Sequence, residues 1–158
     1  IETKTVRWRW KLKPRTHRLA QVHGDFHPWN ILFQEDGTRF HVLDRSRGQW
    51  GDPADDVTSI TLNYVFESLQ ATGRLTGDFA DCFQRFWGRY LEATRDREML
   101  QVAGPFLAFR GLVMASPLWY PHIDEGVRRQ MISLVQSSLD HDTFDPQRIH
   151  EYLQPEKH

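Results

Sequence analysis

Two short apolar runs, residues 30–33 and 40–43, stand on either side of Gln34-Glu35-Asp36-Gly37. Asp-Gly between two such runs signals a tight β-hairpin, because the glycine accepts the positive φ that the turn demands. A hairpin dictates which flanking residues meet. Asn30 opens the first run and Asp44 follows the second, so the ribbon brings them side by side at its open end. Just upstream stands Asp25, in the stretch His23-Gly24-Asp25-Phe26-His27-Pro28-Trp29-Asn30. The expected result is an acid, an amide and a second acid gathered in one place.

That set of groups suits one chemistry. Asn30 and Asp44 offer hard oxygen ligands of the kind Mg²⁺ takes. Asp25 can accept or orient a hydroxyl proton. Phosphoryl transfer asks little else of a protein than to position such groups and to place metal charge near phosphates. Downstream, Asp52-Pro53-Ala54-Asp55 reads as a helix start, with Asp52 as the cap, Pro53 in the first position and acids at the positive end of the dipole. Asp56 falls in the first turn of that helix, which runs through Val57, Ile60, Tyr64, Val65 and Leu69 and ends near Gly73.

His23-Gly24-Asp25, Asn30, Asp44 and Gly51-Asp52-Pro53 with Asp55-Asp56, in this order and spacing, resemble the catalytic core of the aminoglycoside phosphotransferase and choline-kinase-like family. Its fold is protein-kinase-like, and the resemblance is to the C-terminal lobe. The motif covers residues 22–57. The resemblance implies a predominantly helical α+β lobe, with a small β-hairpin carrying the catalytic and metal residues. It implies Asp25 as the catalytic group, Asn30 and Asp44 as ligands of Mg²⁺, and ATP or GTP as phosphoryl donor to a hydroxyl of a small molecule. It further implies that Asp56 braces the catalytic loop through backbone N–H groups, and His23 reads as structural support for the same loop. His27 and Trp29 are candidates for the acceptor pocket. Arg45 departs from the family, which usually has an apolar or aromatic residue after the metal-binding acid. It is read either as a cation near the phosphates or as half of a local ion pair, with Arg47 the other candidate partner for Asp44.

The rest of the chain supplies a body. Its 158 residues suffice for one domain with a sizeable core. A net charge of −1 gives no global argument for nucleic acid or an anionic membrane, and no apolar run is long enough to span a bilayer. The single cysteine, Cys82, fits a reducing, cytoplasmic compartment. Cys82 falls on the apolar face traced by Phe79, Phe83, Phe86, Trp87, Tyr90 and Leu91 and is expected in the core. Residues 98–116 are expected to be helical, with Pro105 as a kink or break. Asp124 is expected to cap a helix through Leu139, and Asp145-Pro146 to open a short last helix with Ile149 and Leu153 inward and the tail from Gln154 frayed.

Residues 4–18 carry Lys4, Arg7, Arg9, Lys11, Lys13, Arg15 and Arg18, with Val6, Trp8, Trp10 and Leu12 between them. The alternation argues for a strand, whereas the resemblance implies a helix that Pro14 ends. The basic run reads as a solvated face whose Trp residues pack on the domain. The alternative is a surface for nucleic acid or membrane.

A phosphotransferase of this kind also needs a glycine-rich hairpin and a strand lysine for the phosphates. No G-x-G-x-x-G occurs here, and the lysines are Lys4, Lys11, Lys13 and Lys157. Starting at Ile1, the chain reads as a fragment or processed product without the nucleotide-binding lobe, with very little activity by itself. A face left bare by that lobe is expected to favour self-association. The runner-up reading is a non-catalytic binding or scaffolding module that kept the fold. A metal-dependent hydrolase is a third.

Overall fold

The computed structural model describes residues 1–45 and 50–155. Ser46 and Arg47, and with Arg47 one candidate partner of Asp44, lie outside the described residues. The chain opens with α1 (Glu2–Leu12) and a 3₁₀ turn at Thr16–Arg18. It then makes β1 (Ala20–Gln21), a second 3₁₀ turn at Pro28–Asn30, β2 (Ile31–Phe33), β3 (Phe40–Val42) and β4 (Trp50–Gly51). The remainder is helical: α2 (Ala54–Thr72), α3 (Gly77–Thr94), α4 (Met99–Ala115), α5 (Glu125–Asp140), a 3₁₀ turn at Pro146–Arg148 and α6 (Ile149–Tyr152). The protein is therefore predominantly helical α+β.

The central helix is α4, which packs on α2 and α5. It is apolar nearly all round, as a helix surrounded by others must be: Val102, Ala103, Leu107, Ala108, Met114 and Ala115 are all buried. Two glycines let α5 approach closely. A methyl on Gly104 would collide with the Ser138 carbonyl oxygen, and one on Gly111 would sit 2.8 Å from the Val135 side chain. Of the kink or break expected at Pro105, the break does not occur; α4 continues through it. Packing on two sides holds the turn that the missing N–H weakens.

Residues 2–12 are a helix, not a strand. Positions 8 and 10 lie on nearly opposite sides of a helix, so only one Trp can face inward. Trp8 does, packing with Ala108, Val135 and Leu139, and its indole N–H donates to the Leu139 carbonyl at 3.1 Å. Trp10 stays 64% exposed, with Lys13 over its ring, so the expectation that the Trp residues pack on the domain holds for Trp8 alone. The basic run is not merely solvated. Lys4 pairs with Asp140, Arg7 and Lys11 with Asp142, Arg15 with Glu98, and Arg18 with Asp52 and Asp96.

Cys82 is exposed, which corrects its expected place in the core. The buried stripe of α3 is narrow, with only Phe83 and Trp87 fully inside, and Cys82 falls on its flank near Tyr64 and Arg85. At the end of the chain, Ile149 and Leu153 are buried, and the Asp145 carboxylate caps the turn by accepting the Gln147 N–H at 2.9 Å. Gln154 is not frayed: its carbonyl accepts the Ser133 hydroxyl.

Candidate active site

The hairpin forms as its turn chemistry requires. The Gly37 N–H reaches the Gln34 carbonyl at 2.8 Å, with Gly37 at φ +68°. β2 and β3 pair antiparallel, Ile31 opposite Val42 and Phe33 opposite Phe40. One step beyond the register, the Leu43 N–H donates to the Asn30 carbonyl at 2.9 Å. Asn30 is thereby linked to the residue that precedes Asp44. Asp44 itself takes the left-handed conformation, φ +57°, which an Asp tolerates better than most residues. Its side chain is exposed and makes no hydrogen bond or ion pair among the described residues. In particular it does not pair with Arg45, whose Nε donates instead to the Val22 carbonyl at 3.1 Å.

The loop from His23 to Asn30 is held by polar contacts from several directions. Asp56, in the first turn of α2, accepts the His23 N–H at 2.6 Å and the Gly24 N–H at 2.8 Å, one on each carboxylate oxygen. The start of α2 is itself fixed, because Asp52 accepts the Ala54 N–H at 2.9 Å. The Asp25 N–H donates to His23 Nδ1 at 3.3 Å, so that nitrogen is the acceptor and Nε2 carries the proton given to the Leu43 carbonyl at 2.7 Å. His23 thus ties the loop to the hairpin and has no nitrogen left for a metal. Asn30 Nδ2 donates to the Asp25 carbonyl at 3.0 Å and lies 3.3 Å from His27 Nε2. With Nδ2 so engaged, Oδ1 is the atom turned to other uses.

Asp25 is buried, and its carboxylate faces Arg110 from the middle of α4: Nη1 lies 3.1 Å from Oδ1. The same guanidinium donates through Nη2 to the Gly24 carbonyl at 3.1 Å and to Asp55 at 3.0 Å. His27 Nε2 stands 3.6 Å from the other Asp25 oxygen. Burial raises the Asp55 carboxyl above its ordinary range, and Arg110 acts against that rise. Behind the loop, Arg18 clamps Asp52 through two hydrogen bonds of 2.7 and 2.9 Å and also holds Asp96. Burial works against the Arg18 charge, but the two acids outweigh it and raise its pKa.

Two recesses flank the loop and share no lining residue. The larger, about 600 Å³, is mostly apolar and bounded by Val22, Phe26, Val42, Phe86 and Tyr90. The smaller, about 220 Å³, contains the chemistry: Asp25, His27, Trp29 and Arg110 line it together.

Arg110 was not legible as a site residue, and Asp55, read as part of the motif, was not legible as its partner. A signal existed for Arg110, which is one charge inside the apolar run from Phe106 to Val113. A charge buried in that way needs an acid opposite it. Nothing in the sequence says which acid.

Among the described residues no group of three or more His, Cys, Asp or Glu could hold a metal ion. The oxygens that fit a cation are Asn30 Oδ1 and the Asp44 carboxylate. Mg²⁺ seldom has an all-protein cage, so two hard oxygen ligands are compatible with it.

Comparison with known proteins agrees with this chemistry. The model of the phosphotransferase enzyme family (APH) matches residues 1–99, well over half of the chain, and the protein belongs to that family. The match runs past the motif to the start of α4 and stops short of Arg110. No curated protein and no solved structure matches the chain.

Proposed function

We propose that these residues form the hydroxyl-orienting and metal-binding half of a phosphotransferase that moves the γ-phosphoryl group of ATP or GTP to a hydroxyl of a small molecule. The supporting observation is the linkage of the three groups. Asn30 bonds through its side chain to the Asp25 carbonyl and through its backbone to the hairpin strand that leads to Asp44. In this reading the lobe is the C-terminal half of a protein-kinase-like fold in a cytoplasmic enzyme.

Asp25 performs the protein's part of the reaction. Its carboxylate accepts a hydrogen bond from the acceptor hydroxyl, turns the oxygen lone pair toward the phosphorus, and takes the proton as the new P–O bond forms and the γ-phosphorus bond to the departing nucleoside diphosphate breaks. Arg110 and the braced loop keep that carboxylate from rotating away. Mg²⁺, held by Asn30 Oδ1 and Asp44, would supply positive charge to phosphate oxygens. His27 and Trp29 line the acceptor side of Asp25, and Arg45 lies on the other side of the loop, tied to its backbone.

The hairpin and its neighbours expose Leu32, Phe33, Phe40, Val42, Leu43 and Trp50. This face is the one assigned to a nucleotide-binding lobe and, without it, to self-association, which light scattering reads directly. A monomer at all concentrations counts against that assignment.

Calorimetry tests the function. ATP or GTP should bind only with Mg²⁺, and Asp44→Asn and Asn30→Ala should each weaken binding about tenfold, about 1.4 kcal/mol. Binding indifferent to Mg²⁺ and to both substitutions would favour the scaffolding alternative. The 158-residue chain alone is expected to turn over very little, and rapid ATP-dependent phosphorylation by it, abolished in Asp25→Ala, would refute that part.

A further inference from the structure

Most of the small hydroxyl and amide groups along α2 bond back to the main chain. Thr58, Thr61, Asn63, Ser68 and Thr72 each donate from the side chain to a backbone carbonyl. Ser59 does not: it is 2% exposed, and its hydroxyl has no hydrogen-bond partner among the described residues. The Ser59 oxygen is not among the side-chain atoms sealed from solvent without a partner, and a helical serine ordinarily bonds to the preceding turn. Ser59 instead lines the 220 Å³ recess beside Asp25. Asn63, one turn later on the same face, lines it too. The Asn63 Nδ2 is used on the Ser59 carbonyl at 2.8 Å, which leaves Oδ1 as its acceptor for a ligand. The recess thus offers a donor–acceptor hydroxyl and an amide oxygen next to the group assigned to the reacting hydroxyl.

Its charge excludes two classes of occupant. Asp25 opposes an anion. Arg110 opposes a cation, since its guanidinium lines the recess with Asp25 and offsets that charge, while its second acid, Asp55, is not in the lining. The same guanidinium also lies 5.7 Å from the centre of the Phe109 ring, so the attraction that this ring would offer a second cation is already engaged. Phe109 and Trp29 line the recess while remaining 57% and 82% exposed, two aromatic surfaces at its edge. Such faces are negative at the centre and accept the weakly positive C–H side of a sugar or cyclitol ring. The volume lies below the roughly 300–1,000 Å³ of drug-sized sites, which limits the occupant to about one ring.

We infer that the acceptor, on the phosphotransferase reading above, is a compact neutral polyhydroxyl compound of single-ring size, whose non-reacting hydroxyls are read by Ser59 and Asn63. The reacting hydroxyl faces Asp25, and the carbon face of the ring lies on Trp29 and Phe109. Specificity follows from the unpartnered groups: a monohydroxyl compound leaves Ser59 and Asn63 unsatisfied and loses binding for that reason.

Binding to the 158-residue chain tests this without requiring turnover. The probes are D-glucose, D-ribose and myo-inositol as neutral polyols, with choline and kanamycin as cationic alcohols, followed by ligand-observed NMR and calorimetry. At least one neutral polyol should bind more tightly than either cation. Ser59→Ala and Asn63→Ala should each weaken it at least fivefold while circular dichroism stays unchanged; Ser59→Ala favours the helix, so loss of fold is not at issue. Preference for choline or kanamycin, absence of neutral binding at millimolar concentration, or neutral binding untouched by both substitutions would each overturn the inference. The two readings fail separately. Phosphate transfer to choline alone would preserve the phosphotransferase and remove the polyol. Polyol binding lost in Ser59→Ala, without Mg²⁺-dependent nucleotide binding, would do the reverse.

Discussion

From Ala54 to Leu153 the side chains removed from water are mostly apolar and interlock across α2, α3, α4 and α5, whereas among the described residues from Leu19 to Gly51 only Val22 and Asp25 are buried. The layer that carries the candidate site has almost no core of its own. A two-stranded hairpin is barely stable by itself in water. What holds the site is a set of polar attachments to the body: Asp56 to the loop amides, Arg110 to Asp25 and Gly24, and Arg18 to Asp52. Apolar packing builds a body tolerant of small shifts because it has no direction. Charged hydrogen bonds have direction, and a catalytic carboxylate needs it. The body thus supplies stability, and its few polar residues supply aim.

Arg110 is where the two regions join, so its loss should be the largest effect. Arg110→Ala removes the guanidinium that answers both Asp25 and Asp55, whose side chains are 12% and 28% exposed. Breaking a buried pair costs about 3–5 kcal/mol, and the lower end applies because water reaches Asp55. Urea denaturation should show that loss, and Arg110→Lys should recover only part of it, since an ammonium cannot reproduce the fork. Wild-type stability in Arg110→Ala would mean that the site layer is held by something other than these attachments.

Gly104→Ala probes the body alone. The new methyl meets the Ser138 carbonyl oxygen, a backbone atom that cannot rotate away. Over-packing of this sort costs about 1–3 kcal/mol. Denaturation should register the loss, while amide exchange at His23 and Gly24 relative to global unfolding stays as in wild type. Selective loosening of those two amides would show the regions to be less separate than their packing indicates.

The clamp behind the loop should give a smaller, pH-dependent effect. Burial opposes ionisation of Asp96, but Arg18 overcomes it and holds the carboxyl below its ordinary value. The native state therefore binds this proton less readily than the unfolded chain. The contribution is present above the unfolded value, about 3.9, and is lost as pH falls through the lower native value. Asp96→Asn should be less stable than wild type at pH 7, and the gap should narrow on acidification below about pH 4. An unchanged gap would remove Asp96 from the clamp.

The hairpin should respond least. Phe33 and Phe40 face each other across the strands, with ring centres 5.9 Å apart, and both are more than half exposed. Phe40→Thr should cost under about 1 kcal/mol of global stability. A drop comparable to that of Gly104→Ala would show that the exposed strands support the body after all.

Local chemistry made much of this legible. The Asp-Gly turn, the Asp-Pro helix start, the Asp124 and Asp145 caps and the left-handed Gly73 that ends α2 are each settled within a few residues, and the structure has them all. Spacing placed Asn30 beside the end of the second strand because a hairpin leaves no choice of register. Where periodicity was short or mixed, it misled. The alternation in residues 6–12 was a helix with one inward Trp, and the apolar stripe of α3 was too narrow to take Cys82.

Identity along the chain was enough to link Asn30 to the Asp25 backbone and to the strand end before Asp44, and to set the family, because those relations are carried by turns and by short separations. Only the tertiary structure decided which charges from distant helices complete the site. Arg110 reaches Asp25 from 85 residues away, and Ser59 turns toward the recess instead of its own helix. Partners of that kind are selected by how α4 packs against α2, and helix packing depends on surfaces that no local pattern encodes.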